Sequence, residues 1–192
     1  MGIKKFLGIA TTALALTGFA AAQNNQQSTS QLVGADAILI HSLDAKTIKQ
    51  GDTVTAKLTQ TVHIAGGKEL PRNTQLIGHV DEVQPSQNNG TSKVVLTFDK
   101  AKLANGEQVA IKSTIVGVFP EGTKELLPTL NPELQVEQQP SGPHGYSLTS
   151  NVQGDNSGTL SAQGKNVHLG DGTSLQFAIA PSANAASTAT GN

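Results

Sequence analysis

Alternation of apolar and polar residues is the main pattern along the middle of this chain. It is clearest in DTVTAKLTQTVHI (52–64), where the even-numbered positions hold the apolar residues Val54, Ala56, Leu58, Val62 and Ile64. A period of two places these residues on one face of a strand and the intervening threonine, lysine and histidine residues on the other. The pattern predicts a half-buried β-strand over residues 52–64.

Similar stretches predict further strands before and after this one. They are ADAILIHSL (35–43), TQLIGHVDEV (74–83), KVVLTF (93–98), STIVGVF (113–119), YSLTSNV (146–152), TLSAQG (159–164) and SLQFAIA (174–180). Within them, the alternation assigns Leu76, Val80, Phe98 and Phe177 to the core. No segment has the 3.6-residue apolar period of an amphipathic helix.

Glycine, asparagine and proline separate these stretches. Gly66-Gly67 and Asn105-Gly106 predict tight hairpin turns. Pro71 is expected to end one strand, and Gly78 to allow the close approach of a neighbouring backbone. The segment 119–145 holds five of the eight prolines, which interrupt both helices and strand ladders. It is predicted to be an irregular Pro-rich loop.

Many short strands with frequent turn signals are typical of an all-β fold. We therefore predict a small β-barrel or sandwich of short antiparallel strands with one long Pro-rich loop. The single domain is expected to cover residues 33–180, between a disordered leader (23–32) and a disordered tail (181–192).

The N-terminal 22 residues have the three parts of a secretory signal peptide. Lys4 and Lys5 are followed by an apolar run, and Ala20 and Ala22 stand at the small-residue positions of a cleavage site. Cleavage after Ala22 would place the mature protein in the periplasm or outside the cell. The alternative is an uncleaved membrane anchor, although glycine and threonine dilute the run.

Composition excludes several classes of function. The chain has no cysteine, so it can form neither disulfides nor zinc–thiolate sites. Its formal charge of −1 becomes −3 once the two lysines of the signal are removed, and no Lys/Arg cluster remains for nucleic acid. No later segment is apolar enough over sufficient length to cross a bilayer, so no membrane span is expected after signal removal.

The order of these motifs resembles the β-barrel domain of the TrbI-like scaffold subunits of bacterial type IV secretion and conjugation machines. The resemblance covers about residues 50–118 and 165–180, and its residues are Gly51, Leu70-Pro71, Thr74, Leu76, Gly78, Val94 to Phe98, Asn105-Gly106, Gly172-Thr173 and Leu175. It implies a β-barrel in the cell envelope. Family members also carry an inner-membrane helix and helical outer-membrane antennae, whereas TKELLPTLNPEL (123–134) is interrupted by proline. The resemblance therefore implies the fold and the compartment, and not a secretion channel.

Candidate chemistry is sparse. His79 and Asp81, at positions i and i+2 of a strand, would point the same way and are the candidate metal ligands, the alternative being a polar strand face. Asp155 and Asp171 lie in Gly/Asn/Ser-rich stretches, where turn formation is favoured over calcium binding. No Gly-x-Ser-x-Gly, HExxH or phosphate-binding loop occurs, so we predict no cofactor and no enzyme, with an unrecognised hydrolase as the alternative.

These observations favour a non-enzymatic, exported envelope protein that binds or scaffolds another envelope protein or a second copy of itself. A periplasmic or secreted glycan-binding module is the alternative. The mature chain has no tryptophan and only four aromatic residues on which a sugar ring could stack, namely Phe98, Phe119, Phe177 and Tyr146. Polar contacts alone could still hold a glycan.

Overall fold

The computed structural model of the protein describes residues 31–65, 68–121, 128–138 and 145–182. All regular secondary structure within these residues is β-strand. The strands are β1 (Val33–Leu39), β2 (Leu43–Asp44), β3 (Thr53–Leu58), β4 (Val62–Ile64), β5 (Lys68–Leu70), β6 (Gln75–Gln84), β7 (Thr91–Lys102), β8 (Gln108–Phe119), β9 (Gln135–Gln138), β10 (Ser147–Asn151), β11 (Gly158–Gln163), β12 (His168–Leu169) and β13 (Ser174–Pro181).

Six of these strands close into an antiparallel barrel. The order around it is β6-β3-β1-β13-β8-β7, and β7 pairs back with β6 over most of its length. The predicted all-β class is confirmed, and of the two architectures expected from the sequence the structure adopts the barrel.

On the edge opposite β6, strand β7 pairs with two different strands along its length. Its last residues, 100–102, pair with β8 through the hairpin around Asn105-Gly106, whereas residues 91–96 pair with β11. Beyond β11 lie β10 and then β9, and these three strands form an extension that we call the wing. The predicted Asn105-Gly106 turn is confirmed, and Gly106 has the left-handed backbone, with φ +86°, that glycine adopts readily.

The barrel interior is filled by apolar side chains. Phe98 and Phe177 are almost completely buried and meet edge to face, with ring centroids 5.2 Å apart. Leu76 and Val80 on β6 are fully buried, which confirms their assignment to the core.

Gly78 confirms the expected close approach of two backbones. It lies on β6 beside a register shift, opposite Phe98. A Cβ at this position would come closer to the Thr97 carbonyl oxygen than real Cβ atoms do, and would lie 2.8 Å from the Phe98 ring. Only glycine fits here without a shift of β7.

The strand predicted over 52–64 is wrong as a single element. Its two halves are β3 and β4, separated by a bend at Thr59 and Gln60, although both halves bury the predicted apolar face. β4 leaves β3 and pairs instead with β5. The predicted Gly66-Gly67 turn between β4 and β5 lies outside the described residues, and β5 ends at Leu70, next to Pro71, as expected.

The Pro-rich loop predicted over 119–145 is also wrong in part. Residues 135–138 form β9, which pairs with β10. The nearest prolines in the sequence stand at 132 and 140, outside this stretch, so all four residues keep the backbone amides that a strand ladder needs. The signal peptide over 1–22, most of the leader and nearly all of the tail lie outside the described residues. Pro181, predicted as the first residue of the tail, is instead the last residue of β13.

Candidate functional site

The two candidate metal ligands do point the same way, on the outer surface of the barrel. His79 Nε2 lies 3.0 Å from Asp81 Oδ1, and Thr97 Oγ1 donates a 2.7 Å hydrogen bond to Asp81 Oδ2. The register of β6 against β7 shifts between Val80 and Glu82, which leaves Asp81 without a ladder partner on β7. This bulge gives Asp81 the freedom to reach both neighbours.

The order of these three groups bears on their chemistry. A nucleophilic hydroxyl is activated by a base that contacts it, and the base is in turn oriented by a third group. Here the Asp81 carboxylate stands in the middle, and the Thr97 hydroxyl contacts the carboxylate instead of the imidazole of His79. The arrangement orders a polar strand face. It also supplies two protein ligands, where a protein zinc site has three or four.

Two of the other histidines also face carboxylates. His63 Nδ1 lies 3.8 Å from Glu69 across the β4–β5 pair, and His168 Nδ1 lies 3.3 Å from Asp44 across the β12–β2 pair. His41 is exposed, and His144 lies outside the described residues. Among the described residues no three His, Cys, Asp or Glu side chains come close enough together to hold a metal ion.

The aspartates predicted to form turns do lie in turns or bends. Asp155 is exposed in the bend between β10 and β11, and Asp171 precedes Gly172, which has φ +75°. Asp81 and its neighbour Glu82 have different partners, because Glu82 forms an ion pair of 2.7 Å with Lys93. The pairing expected of two catalytic carboxylates does not occur here.

A buried serine cluster, which the sequence analysis did not predict, closes the seam where β8 leaves β7. Ser113 Oγ donates to the Phe98 carbonyl oxygen at 2.7 Å, and Ser157 Oγ accepts from the Phe98 amide at 2.8 Å. The two hydroxyls lie 3.0 Å apart. Ser150 Oγ donates to the Ile115 carbonyl oxygen on the same strand β8. Since each hydroxyl is bonded to backbone or to another serine, the cluster replaces missing ladder bonds.

Among the residues that the structure describes, Glu107 and Tyr146 have pKa values that depart from their ordinary ranges. The hydrogen bond from Lys68, followed by that from Asn105, lowers the pKa of the Glu107 carboxyl below its ordinary 4.5. Burial raises the pKa of Tyr146, whose hydroxyl donates to the Val118 carbonyl oxygen. The Lys68–Glu107 ion pair ties the β4–β5 hairpin to the β7–β8 hairpin.

A polar cleft lies at one end of the barrel, between β2, the β6–β7 loop and the β11–β12 loop. Its volume is about 550 Å³, and its lining consists of Asp44, Lys46, Ser86, Asn88, Asn89, Gly164, Lys165, Asn166 and His168. The sequence analysis predicted no ligand site at the NNG stretch over residues 88–90. The signal it missed was the pairing of β12 with β2, which brings the distant GKNVH stretch (164–168) beside it.

Comparisons of this chain with protein-family models, with curated proteins and with solved structures found no match. The TrbI-like resemblance therefore stays a prediction. Within the described residues, no helix has the length and apolar character needed to span a membrane.

Proposed function

We propose that this chain is a non-enzymatic, exported β-barrel protein of the bacterial cell envelope, which acts by binding or scaffolding. The proposal retains the predicted resemblance to the TrbI-like β-barrel domain. It does not include the membrane-spanning elements of that family. The observation that carries it is the location of the accessible surface. Core side chains fill the barrel, so a partner must bind outside it, where the surface hollows include one on the wing face and the polar cleft.

The wing is the surface that suits a protein partner. Its face holds a shallow hollow of about 500 Å³, lined by Gln135, Val136, Glu137, Thr149, Ser150, Asn151, Gly154, Asn156 and Thr159. Its outer strand β9 is only four residues long and contains a glutamate, two features by which natural sheets limit edge-to-edge pairing. A partner would therefore contact side chains of the wing face instead of extending the sheet.

The second candidate function is glycan binding. It is favoured by the polar cleft, whose lining of amides, a hydroxyl and charged groups can bond to sugar hydroxyls without an aromatic platform. The two functions use different surfaces, so variants can separate them.

Fractionation of the bacterium that encodes the chain tests the export and scaffolding parts of the proposal. We expect a mature protein that begins at Gln23, in the periplasmic or culture fraction, and that elutes on native size-exclusion chromatography in a complex larger than the free chain. Retention of Met1 in the membrane fraction would contradict export.

Two matched variants locate the contact. Thr149→Arg places a large cation on the exposed wing face, and Gln60→Arg makes the same addition at the exposed bend between β3 and β4. We expect the first variant to elute as the free chain and the second to elute as wild type. Elution of the wild type as a free monomer, or equal loss of the complex in both variants, would contradict scaffolding through the wing.

A further inference from the structure

We infer that a second copy of this chain binds the wing, through a contact between surfaces of opposite charge. The basic surface is a row of three residues on neighbouring barrel strands, which we call the lysine row: Lys57 on β3, Gln75 on β6 and Lys102 on β7. The inference rests on the scaffolding function proposed above and assigns a partner to it.

Charge is unevenly distributed along the chain. Residues 46–112, which include β3 to β7 and the start of β8, hold nine lysine and arginine residues against six aspartate and glutamate residues, a net charge of +3. Residues 125–164, which include the wing, hold four carboxylates and no lysine or arginine, a net charge of −4. The barrel segment and the wing segment therefore have opposite charge.

The lysine row faces outward. The residues beside it on the same strands are fully buried, namely Ala56, Leu76 and Ala101, so strand alternation turns the row to the outer surface. Neighbouring strands lie about 4.8 Å apart, which places the backbones of Lys57 and Lys102 about 10 Å apart.

The two lysines of the row are incompletely compensated by the carboxylates around them. Within the described residues, neither Lys57 nor Lys102 forms an ion pair. The carboxylates of Asp99 and Glu107 already pair with other lysines. Asp36 on β1 lies opposite Thr59, two residues from Lys57, and can offset at most one of the two charges. The row therefore keeps a positive charge that a partner can meet.

The wing presents acidic and neutral polar groups to solvent. Glu137 lines the hollow on its face, Glu133 is exposed just before β9, and Asp155 is exposed in the bend after β10. Lys112 on β8 shares a smaller hollow with Asp155 and can offset one of these three carboxylates. An excess of negative charge remains beside a polar hollow into which a lysine side chain can reach.

The two surfaces lie too far apart to neutralise each other within one molecule. Both adjoin β7: Val95 faces Thr159 of the wing, and Lys102 is the last residue of the strand. At about 3.3 Å per residue, these two positions on β7 are separated by about 23 Å. The Debye length at physiological ionic strength is only about 8 Å. Lys93, which lies closer to the wing, already pairs with Glu82 at 2.7 Å.

A second copy supplies both opposite surfaces at once. Its lysine row matches the wing of the first molecule, and its wing matches the lysine row of the first molecule. The pairing therefore either closes as a dimer about a two-fold axis or continues head to tail. Because attraction between exposed charges is screened by salt, the contact should weaken as the ionic strength rises.

Sedimentation velocity of the mature chain, residues 23–192, tests the inference. The measurements are made at ionic strengths of about 0.01 M and about 1 M, where the Debye length is about 30 Å and about 3 Å. At the lower ionic strength we expect the weight-average mass to rise with protein concentration, to about twice that of the monomer or more. At the higher ionic strength we expect the monomer.

Charge reversal of either surface should abolish the association. The row variant carries Lys57→Glu and Lys102→Glu, and the wing variant carries Glu133→Lys and Glu137→Lys. Each variant alone should sediment as a monomer at the lower ionic strength. An equimolar mixture of the two variants should associate again, because each reversed surface then meets a surface of opposite charge.

A matched control separates the lysine row from the net charge. Lys46→Glu with Lys49→Glu gives the same net charge as the row variant, through exposed residues of the loop between β2 and β3. This control should associate as the wild type does. Unchanged melting temperatures will show that the three double variants are folded.

Each other outcome overturns the inference in a distinguishable way. A wild-type chain that stays monomeric at the lower ionic strength would exclude the second copy as partner. If the complex on native size-exclusion chromatography is nevertheless present, another protein occupies the wing and the scaffolding proposal stands, whereas a monomer in both experiments would contradict scaffolding as well. Association that survives the higher ionic strength, or that the control loses as fully as the row variant, would contradict a contact between these two charged surfaces. Failure of the mixed variants to associate would contradict their direct contact.

Discussion

Replacement of Gly78 by alanine is the sharpest test of how the barrel is packed. An added Cβ would overlap the Thr97 carbonyl oxygen and lie 2.8 Å from the Phe98 ring. The first obstacle is backbone in the centre of the β6–β7 ladder and the second is a core aromatic, so neither can move without disturbing the barrel. Overpacking of this kind costs about 1–3 kcal/mol. Alanine recovers about 0.4–1 kcal/mol by restricting the unfolded chain. The difference between the two ranges is about 0–2.6 kcal/mol, so we expect Gly78→Ala to lower the free energy of unfolding by a central value of about 1.3 kcal/mol.

Urea denaturation followed by far-ultraviolet circular dichroism measures this change. Gly170→Ala is the matched control, because a Cβ there has no atom within 4 Å and Gly170 does not have a left-handed backbone. The control should be neutral or more stable by about 0.4–1 kcal/mol. A Gly78→Ala protein at least as stable as wild type, with an unchanged dependence on urea, would refute the close approach of β6 and β7.

Three further predictions concern the core, the seam and one ion pair. Leu76→Ala should cost about 2–5 kcal/mol through cavity formation, whereas His79→Ala on the outer face should stay within about 0.5 kcal/mol of wild type; a metal-dependent melting temperature abolished by His79→Ala would contradict a purely structural His79–Asp81 pair. Ser157→Ala should lower the free energy of unfolding, measured by urea denaturation, by about 1–3 kcal/mol, because the buried Phe98 amide loses its acceptor. An unchanged free energy of unfolding would contradict the structural role assigned to Ser157 in the serine cluster. Since the Glu107 pKa is lowered in the folded state, the stabilisation by Lys68 should be present at neutral pH and be lost as the pH falls below 4.5. The difference in urea midpoint between wild type and Glu107→Gln should therefore shrink on acidification, and a difference that grows would contradict the assigned pair.

Local pattern was sufficient to predict most of the barrel strands. The alternation in β6 identified Leu76 and Val80 as core residues, and Asn105-Gly106 identified the β7–β8 hairpin, because both signals arise from neighbouring residues. The break between β3 and β4 was not predicted because the alternation of apolar and polar residues continues through both strands without a change of face. Only the pairing of β4 with β5, which the local pattern does not reveal, separates the two strands. β9 escaped it because a four-residue strand between prolines has no periodicity of its own.

The candidate sites depended on contacts between distant segments. The proximity of His79 and Asp81 follows from strand periodicity, but the hydrogen bond from Thr97 depends on the bulge at Asp81, which no local signal marked. The polar cleft joins residues about 80 positions apart, as the Ser86–Asn166 bond illustrates. Such a site is defined by strand order around the barrel, which a single sequence does not specify.

Site-specific photo-crosslinking in the organism that encodes the chain tests most directly whether this protein acts by binding through its outer surface. A photoreactive residue would replace Thr149 on the wing, Asn89 in the polar cleft, or Gln60 at the bend between β3 and β4, all of which are exposed. We predict a discrete adduct from the wing or cleft position and none from Gln60. Absence of adducts at both surfaces, or the same adduct pattern from all three positions, would contradict the binding function.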